Sequence, residues 1–290
     1  MAAGIYHLLG PADQGNDAAQ MTSRWTQVAV LGAAVLALGG CGGGDDTACT
    51  AEPGETPGSV DAPADCPVSS VIAVDATGAL QDKALARDMG SAAVRAAEHT
   101  ITAGGHLRMV VFAGDANSVE VIYDYRVPTL EELDETRRGP TEHDLRRALG
   151  ATIDSALGVI DEDPALEARV RTLTRGGGSD IARAVRNALR DAKQESGAAA
   201  VTIVSDGAQD SDQLVLKRRL EAGDSSSRLG SQLAALLGSA DGVDVLQAVG
   251  LGRLPGRVNQ SAARTDQLVE VWMTACERTG AANCETTTEL

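Results

Sequence analysis

Residues 71–79 read VIAVDATGA, an uninterrupted apolar run that ends at one acidic residue. The run from Val71 to Val74 is typical of a β-strand that is buried on both faces of a parallel sheet. Asp75 follows directly, and Thr77 stands two residues further on. The stretch therefore predicts a central strand whose carboxyl end leads into a loop with oxygen-containing side chains.

The next segments continue with alternating helices and strands. We predict a helix over Asp82 to Thr102, a buried strand over Leu107 to Ala113, and a strand over Val119 to Val127 in which apolar and charged residues alternate. The connection at 114–118 is too short for a crossover helix, so the second and third strands must form an antiparallel hairpin. The third strand is therefore expected at an edge of the sheet.

The second half of the chain follows the same pattern. Pro140 is predicted to begin a helix with core positions at helical spacing: Leu145, Leu149, Ile153, Leu157 and Ile160. Further helices are expected from Ser179 or Asp180 to Lys193, within Asp212 to Leu237, and over Ala263 to Glu277, with buried strands over Ala198 to Val204 and Val243 to Val249. Such alternation predicts an α/β fold with a doubly wound, mostly parallel sheet and one antiparallel edge strand.

Three loops of this predicted fold carry polar side chains. They are Asp75 to Ala79 after the first strand, Gly177 to Ile181 at the start of a helix, and Ser205 to Gly207 after the fourth strand. In open α/β sheets, the loops at the carboxyl ends of the strands form the ligand crevice where the strand order reverses. Carboxylates and hydroxyls are hard oxygen ligands, so a metal at this point is expected to be Mg²⁺ or Mn²⁺.

The order of the hairpin, the edge strand, the Gly-Gly-Ser-Asp loop and the Asp-Gly turn resembles the von Willebrand factor type A domain family, over about Ser69 to Ala275. The resemblance implies a Rossmann-like fold with a metal ion-dependent adhesion site. Position by position, it implies that the metal ligands are Asp75, Thr77, Ser179 and Asp206. Ala79 stands where the family pattern has a second serine, so one ligand oxygen is missing.

The resemblance implies a protein-binding module in which the metal takes a carboxylate of a partner protein as its last ligand. The alternative is a metal-free structural or assembly domain of the cell envelope, and Ala79 favours this alternative. Each site residue also has a purely structural interpretation, since aspartates after strands commonly form turns and Ser179 or Asp180 could cap a helix. Asp180 is expected to fix the loop or cap the helix rather than bind the metal.

Other functional classes have little support in the sequence. We find no Gly-x-Ser-x-Gly elbow, no phosphate-binding Gly-x-x-x-x-Gly-Lys loop and no second acidic residue two positions after Asp75, so we predict no enzymatic activity and no catalytic residues. The net charge of −16 would repel nucleic acid.

The beginning of the chain indicates export. From Met21 a segment with Arg24 precedes an apolar run from Val28 to Leu38, which ends at Gly39-Gly40-Cys41. This layout resembles a bacterial lipoprotein signal and implies a signal peptide at 21–40, a lipid on Cys41 and a location on the extracytoplasmic face of a cell membrane. Residues 1–20 are predicted to be an upstream extension, and residues 41–65 a flexible tether after the lipidated cysteine.

The domain itself is predicted to span 66–284, with a C-terminal tail at 285–290. Four cysteines flank it, Cys49 and Cys66 before and Cys276 and Cys284 after, and in an exported protein they are candidates for two disulfides. We favour bonds between the N-terminal and the C-terminal pair because domain termini often lie close together, and local pairs remain the alternative.

Overall fold

The structure, a computed structural model, describes residues 67–290 except 115–118, 130–131, 133–134, 175–177, 196 and 258–259. All described residues belong to one of the two units into which the chain divides, Asp46–Leu290. The predicted signal peptide, the lipidation site Cys41, the tether, Cys49, Cys66 and Gly177 lie outside the described residues.

Strands and helices alternate along the described chain, as predicted. The strands are β1 (Val68–Asp75), β2 (Gly105–Phe112), β3 (Val119–Val127), β4 (Ala198–Val204), β5 (Val245–Val249) and β6 (Asn283–Thr287). The helices are α1 (Ala76–Ala79), α2 (Lys83–Ala96), α3 (Glu98–Ala103), α4 (Glu135–Ala156), α5 (Pro164–Leu173), α6 (Ile181–Ala192), α7 (Leu216–Glu221), α8 (Ser226–Leu237) and α9 (Ala262–Thr279).

The strands form one sheet in the order β3-β2-β1-β4-β5-β6. All neighbouring pairs are parallel except β2 and β3, which form the antiparallel hairpin with β3 at the edge. This confirms the predicted α/β class and the mostly parallel sheet with one antiparallel edge strand. The strand order reverses between β1 and β4, which places the expected ligand crevice at the carboxyl ends of these two strands.

Strand β1 connects the two halves of the core. All of its residues are buried, and successive side chains point to opposite faces of the sheet. Val71 and Ala73 belong to a cluster with residues of α6, α8 and α9, whereas Ile72 and Val74 belong to a cluster with residues of α2, α4 and α5. The continuous apolar run therefore reflects a strand that is covered by helices on both sides.

Several predicted boundaries were wrong. The helix predicted over Asp82 to Thr102 is two helices, α2 and α3, with a break at Ala97, and the region Asp212 to Leu237 contains α7 and α8 as separate helices. Helix α4 begins at Glu135, so that Pro140 lies inside it rather than at its start. Proline removes one helical hydrogen bond there, and residues 136–140 are exposed to solvent.

The sequence analysis missed helix α5, strand β6 and the short helix α1, which lies where a loop was predicted. Helix α5 begins with Asp163 as its cap and Pro164 in its first turn, a start signal that the sequence does carry. Strand β6 extends to Thr287, so the sheet continues into the predicted C-terminal tail. The sequence of β6, Asn-Cys-Glu-Thr-Thr, has no alternation of apolar residues, and the strand is held by its parallel pairing with β5.

The preferred cysteine pairing was also wrong. Cys276 of α9 is bonded to Cys284 of β6, and the two residues are separated by 8 positions. The bond is thus the local alternative, and it fastens the edge strand β6 to the helix that precedes it. None of the described helices is long and apolar enough to cross a membrane.

We predict that replacing both Cys276 and Cys284 with alanine lowers the free energy of unfolding by about 2 kcal/mol, because the bond closes a short loop in the unfolded chain. Urea unfolding followed by circular dichroism measures this change. A variant with alanine at both Cys49 and Cys66 serves as the control for the replacement of two cysteines elsewhere in the chain. An unchanged unfolding midpoint in the Cys276 and Cys284 variant would contradict a stabilising role of the bond.

Candidate functional site

The three predicted loops meet at the carboxyl ends of β1 and β4. Oδ2 of Asp75, the last residue of β1, accepts hydrogen bonds from Ser179 Oγ at 2.7 Å and from Ser205 Oγ at 2.9 Å. Asp75, Ser179 and Ser205 are all buried. The Asp75 carboxylate therefore binds two hydroxyls that each lie more than 100 residues further along the chain.

The first loop turns immediately into α1. Asp75 caps this short helix, and its Oδ1 accepts a hydrogen bond from the Thr77 backbone N–H at 2.9 Å. The Thr77 hydroxyl donates a long hydrogen bond of 3.4 Å to the carbonyl of Gly178 in the second loop. Both oxygens of Asp75 are thus engaged, and the Thr77 hydroxyl lies beside the second loop.

The second loop is fixed by backbone pairing. Ser179 and Asp210 exchange two backbone hydrogen bonds of 3.1 and 2.9 Å, and the Asp180 N–H donates to the carbonyl of Gly114 at 3.0 Å. Gly178 has φ +68°, and a Cβ on it would lie 2.9 Å from the carbonyl oxygen of Asp210. Asp180 caps α6 by accepting a hydrogen bond from the Arg183 N–H, which supports its predicted capping role.

The third loop holds Asp206 in a tight turn. Asp206 Oδ1 accepts a hydrogen bond from the Ala208 N–H at 2.9 Å. The next residue, Gly207, has φ +76°, and a Cβ on it would lie 2.5 Å from Leu251 and 2.8 Å from Trp272. The indole N–H of Trp272 donates to the Gly207 carbonyl at 2.9 Å. A core tryptophan therefore buttresses the residue that follows Asp206.

Asp206 has an unusual electrostatic environment. Burial and, to a smaller extent, the nearby charge of Asp75 together raise the pKa of Asp206 to about 6. Within the described part of the chain, neither Asp75 nor Asp206 forms a salt bridge. The two carboxylates thus repel each other, and a cation between them would favour their charged forms.

Ala79 lies away from these oxygens. Its side chain is 1% exposed and belongs to the apolar cluster that includes Val74 and Met89. It is not among the residues that line the adjoining cavity. The methyl group at this position therefore contributes to core packing.

A cavity of about 750 Å³ adjoins the three loops. Its volume falls in the range of small-ligand sites, about 300 to 1,000 Å³. All four residues that the resemblance assigns to the metal line it, together with the third-loop residues Ala208, Gln209 and Asp210. Further lining residues come from α2, α7, α9 and the segment before α9, among them Leu85, Met89, Lys217, Arg218, Arg253, Leu254, Pro255 and Arg264.

The sequence analysis did not identify three residues that contribute to the site: Ser205, Gln209 and Asp210. Ser205 was quoted only as part of its loop, yet its hydroxyl binds Asp75. Gln209 is buried, donates to Asp180 and Ser211, and accepts from the Ala182 N–H, so it connects the third loop to the start of α6. Asp210 pairs with Ser179 and lines the cavity. No sequence motif marks these roles, except that Ser205 directly precedes Asp206.

The donor set suits a hard cation. Among the described residues, no cluster of three or more His, Cys, Asp or Glu side chains is placed to hold a metal ion. What the loops supply is two carboxylates and the hydroxyls of Thr77, Ser179 and Ser205. This combination fits Mg²⁺, which usually keeps several waters and needs few protein oxygens, and it does not fit zinc or copper.

No protein-family model matches the sequence, and no curated protein matches it. Among solved structures, the chain is similar to the pilus adhesin SpaC from Lactobacillus rhamnosus GG in its open conformation, with 8% sequence identity and a TM-score of 0.37; the match covers 77% of this chain and 28% of the adhesin chain. A second crystal form of the same adhesin gives the same identity and TM-score and covers 29% of that chain. The chain thus spans less than a third of the length of these adhesins, and a likeness of this degree does not bear on what it binds.

We predict that Asp206→Asn stabilises the metal-free protein at pH 7. Because the pKa of Asp206 is raised, its contribution to stability is full below its ordinary pKa of 3.8 and is lost as the pH rises through about 6. Asparagine removes the charge, so we expect the free energy of unfolding to rise by on the order of 1 to 3 kcal/mol at pH 7, since one pKa unit corresponds to about 1.4 kcal/mol.

Urea unfolding in chelator at pH 7 and at pH 4 measures the effect, which should vanish at the lower pH. Asp212→Asn is the matched control, because Asp212 is exposed and lies on the same connection between β4 and α7. A loss of stability at pH 7 would instead identify Asp206 as a structural turn residue.

Proposed function

We propose that the described domain is a protein-binding module of the von Willebrand factor type A kind, which uses a divalent cation to bind a carboxylate of its partner. The observation that carries this proposal is the pair Asp75 and Asp206. They lie at the strand-order reversal, line one cavity and repel each other without a salt bridge among the described residues. A binding role is proposed rather than a catalytic one.

The ligands proposed for Mg²⁺ or Mn²⁺ are Asp75, Thr77, Ser179 and Asp206. Asp75 would neutralise the cation and keep Ser179 oriented through the 2.7 Å hydrogen bond between them. Asp206 would supply the second negative charge, and the turn at Gly207 sets its position. The cation would supply positive charge for an incoming carboxylate, and the three loops would position the oxygens that hold the cation.

Attachment to a membrane belongs to the same proposal. A lipid on Cys41 and a tether up to residue 65 would hold the domain at the extracytoplasmic face of the membrane, where a partner protein can reach it. The proposal rests for this part on the sequence between Met21 and Cys41.

A metal-free structural or assembly domain of the cell envelope is the second candidate, and Ala79 is the residue that favours it. Since its methyl group packs in the core, the missing serine oxygen has no substitute at that position. Ser205 weighs against this candidate. Its buried hydroxyl donates a hydrogen bond to the Asp75 carboxylate and so brings a further oxygen to the site.

Calorimetric titration of Mg²⁺ and Mn²⁺ into the protein tests the proposal. We expect saturable binding in the parent and in Asp212→Ala, but none in Asp206→Ala, because only the last variant loses a proposed ligand. Fluorescence of Trp272, which contacts the Gly207 carbonyl, provides a second measurement in a Trp25→Phe background. If the parent protein does not bind Mg²⁺ or Mn²⁺, the metal-free structural or assembly domain becomes the favoured function.

The affinity for Mg²⁺ should also depend on pH. A proton and a cation compete for Asp206, so the affinity is expected to be constant above pH 7 and to fall by up to about tenfold for each pH unit below the raised pKa of about 6. Titrations at pH 8, 7 and 5 measure this dependence. A constant affinity over that range would show that Asp206 does not bind the cation in its charged form.

A further inference from the structure

The cavity beside Asp75 and Asp206 also has four cationic side chains, which we call the basic wall: Lys217, Arg218, Arg253 and Arg264. Two of them lie on α7, and the other two lie on either side of the start of α9. Among the described residues, Lys217, Arg218 and Arg264 form no salt bridge with Asp210 or Glu221, although both of these acids line the same cavity. The charges of these three residues are thus not neutralised by an acidic side chain within the described structure.

Arg264 differs from the other residues of this wall in its hydrogen bonding. Its Nη1 atom is buried and has no hydrogen-bond partner among the described residues. A guanidinium group carries five N–H donors, and a buried charged donor without an acceptor costs considerable free energy. Arg264 also lines the cavity, so an anionic group bound there would supply an acceptor for its guanidinium group.

The position of Arg264 strengthens this argument. It lies in the first turn of α9, a helix that begins after the cap residue Ser261 and has no acidic residue in its first turn. The amino end of a helix has a partial positive charge, so a cation there is unfavourable and an anion is favoured. Helix and side chain thus favour the same kind of ligand.

Several other arginines of the described domain form ion pairs. Arg146 binds Glu98 and Glu142, Arg169 binds Glu120, and Arg171 binds Glu167. The chain has 41 acidic and 25 basic residues, so acidic partners are plentiful. Arg108 Nε also has no hydrogen-bond partner, but Arg108 forms ion pairs with Asp124 and Asp191, whereas Arg264 forms no salt bridge among the described residues.

We propose that the basic wall is a second anion-binding subsite, and that the cavity binds an acidic peptide segment with two carboxylates. One carboxylate would bind at Asp75 and Asp206 through the cation, and the other would pair with Arg264. The apolar residues that line the same cavity, Leu85, Met89, Leu254 and Pro255, would contact the atoms that connect the two carboxylates. This inference extends the proposed function to the class of partner.

The probes are acetylated, amidated peptides with two aspartates separated by one, two or three alanines. Each is compared with a peptide in which the second aspartate is asparagine. Calorimetry at constant ionic strength, with Mg²⁺ and with chelator, measures the affinities. With Mg²⁺ we expect the best two-aspartate peptide to bind at least about tenfold more tightly than its one-aspartate counterpart, as charge-assisted hydrogen bonds permit.

Arg264→Gln should abolish this tenfold preference and leave the affinity for the one-aspartate peptide unchanged. Arg228→Gln is the matched control, since Arg228 is exposed on α8 and does not line the cavity. Arg264→Lys, which keeps the charge but not the forked donors, is a second variant and should reduce the preference. Circular dichroism verifies that each variant is folded.

The outcomes separate this inference from the proposed function. Equal binding of both peptides with Mg²⁺, unaffected by Arg264→Gln, would overturn the second subsite and leave metal-dependent binding intact. Binding in chelator that depends on Arg264 would support the subsite and contradict the role of the metal. Absence of binding under both conditions would overturn the subsite.

Discussion

The Asp75 carboxylate is the interaction on which the site depends. It accepts hydrogen bonds from the Thr77 N–H, the Ser179 hydroxyl and the Ser205 hydroxyl, and so it connects the loop after β1, the start of α6 and the loop after β4. Hydrogen bonds to an ionised acceptor are stronger than neutral ones. Without this carboxylate, two buried hydroxyls and one amide would lose their acceptor, and nothing else described in the three loops contacts all of them.

Two charged groups beside the cavity are in environments that do not favour stability. Asp206 faces another carboxylate without a paired cation, and Arg264 has a buried nitrogen without an acceptor in the described structure. Elsewhere the domain pairs its charges across helices and strands, as Arg146 and Arg169 do. Binding sites commonly retain such unfavourable groups because a ligand compensates them only when it is bound.

The central part of the fold could be predicted from the sequence, and its boundaries could not. Strand β4 was predicted at its observed limits, Ala198–Val204, because this short segment is apolar except for Thr202, as is typical of a strand buried on both faces. Strand β6 was missed because its stability comes from backbone pairing with β5 and the bond to Cys276, which leave no pattern in its own side chains. The meeting of Asp75, Ser179 and Asp206 was predicted from the alternation of strands and helices, which places their loops at one end of the sheet. The roles of Gln209 and Arg264 were not predicted, since they depend on neighbours that only the folded chain brings together.

The two ends of the described chain differ in their relation to the cavity. Residue 67 precedes β1 at the end of the strand opposite Asp75. The eight residues of β1 separate that end from the site by roughly 26 Å, at about 3.3 Å per residue. Leu290 instead lies against Gly250, which directly follows the carboxyl end of β5. A sensor surface, fluorophore or fusion partner coupled on the amino-terminal side therefore leaves the mouth of the cavity accessible, whereas coupling through Leu290 would crowd it.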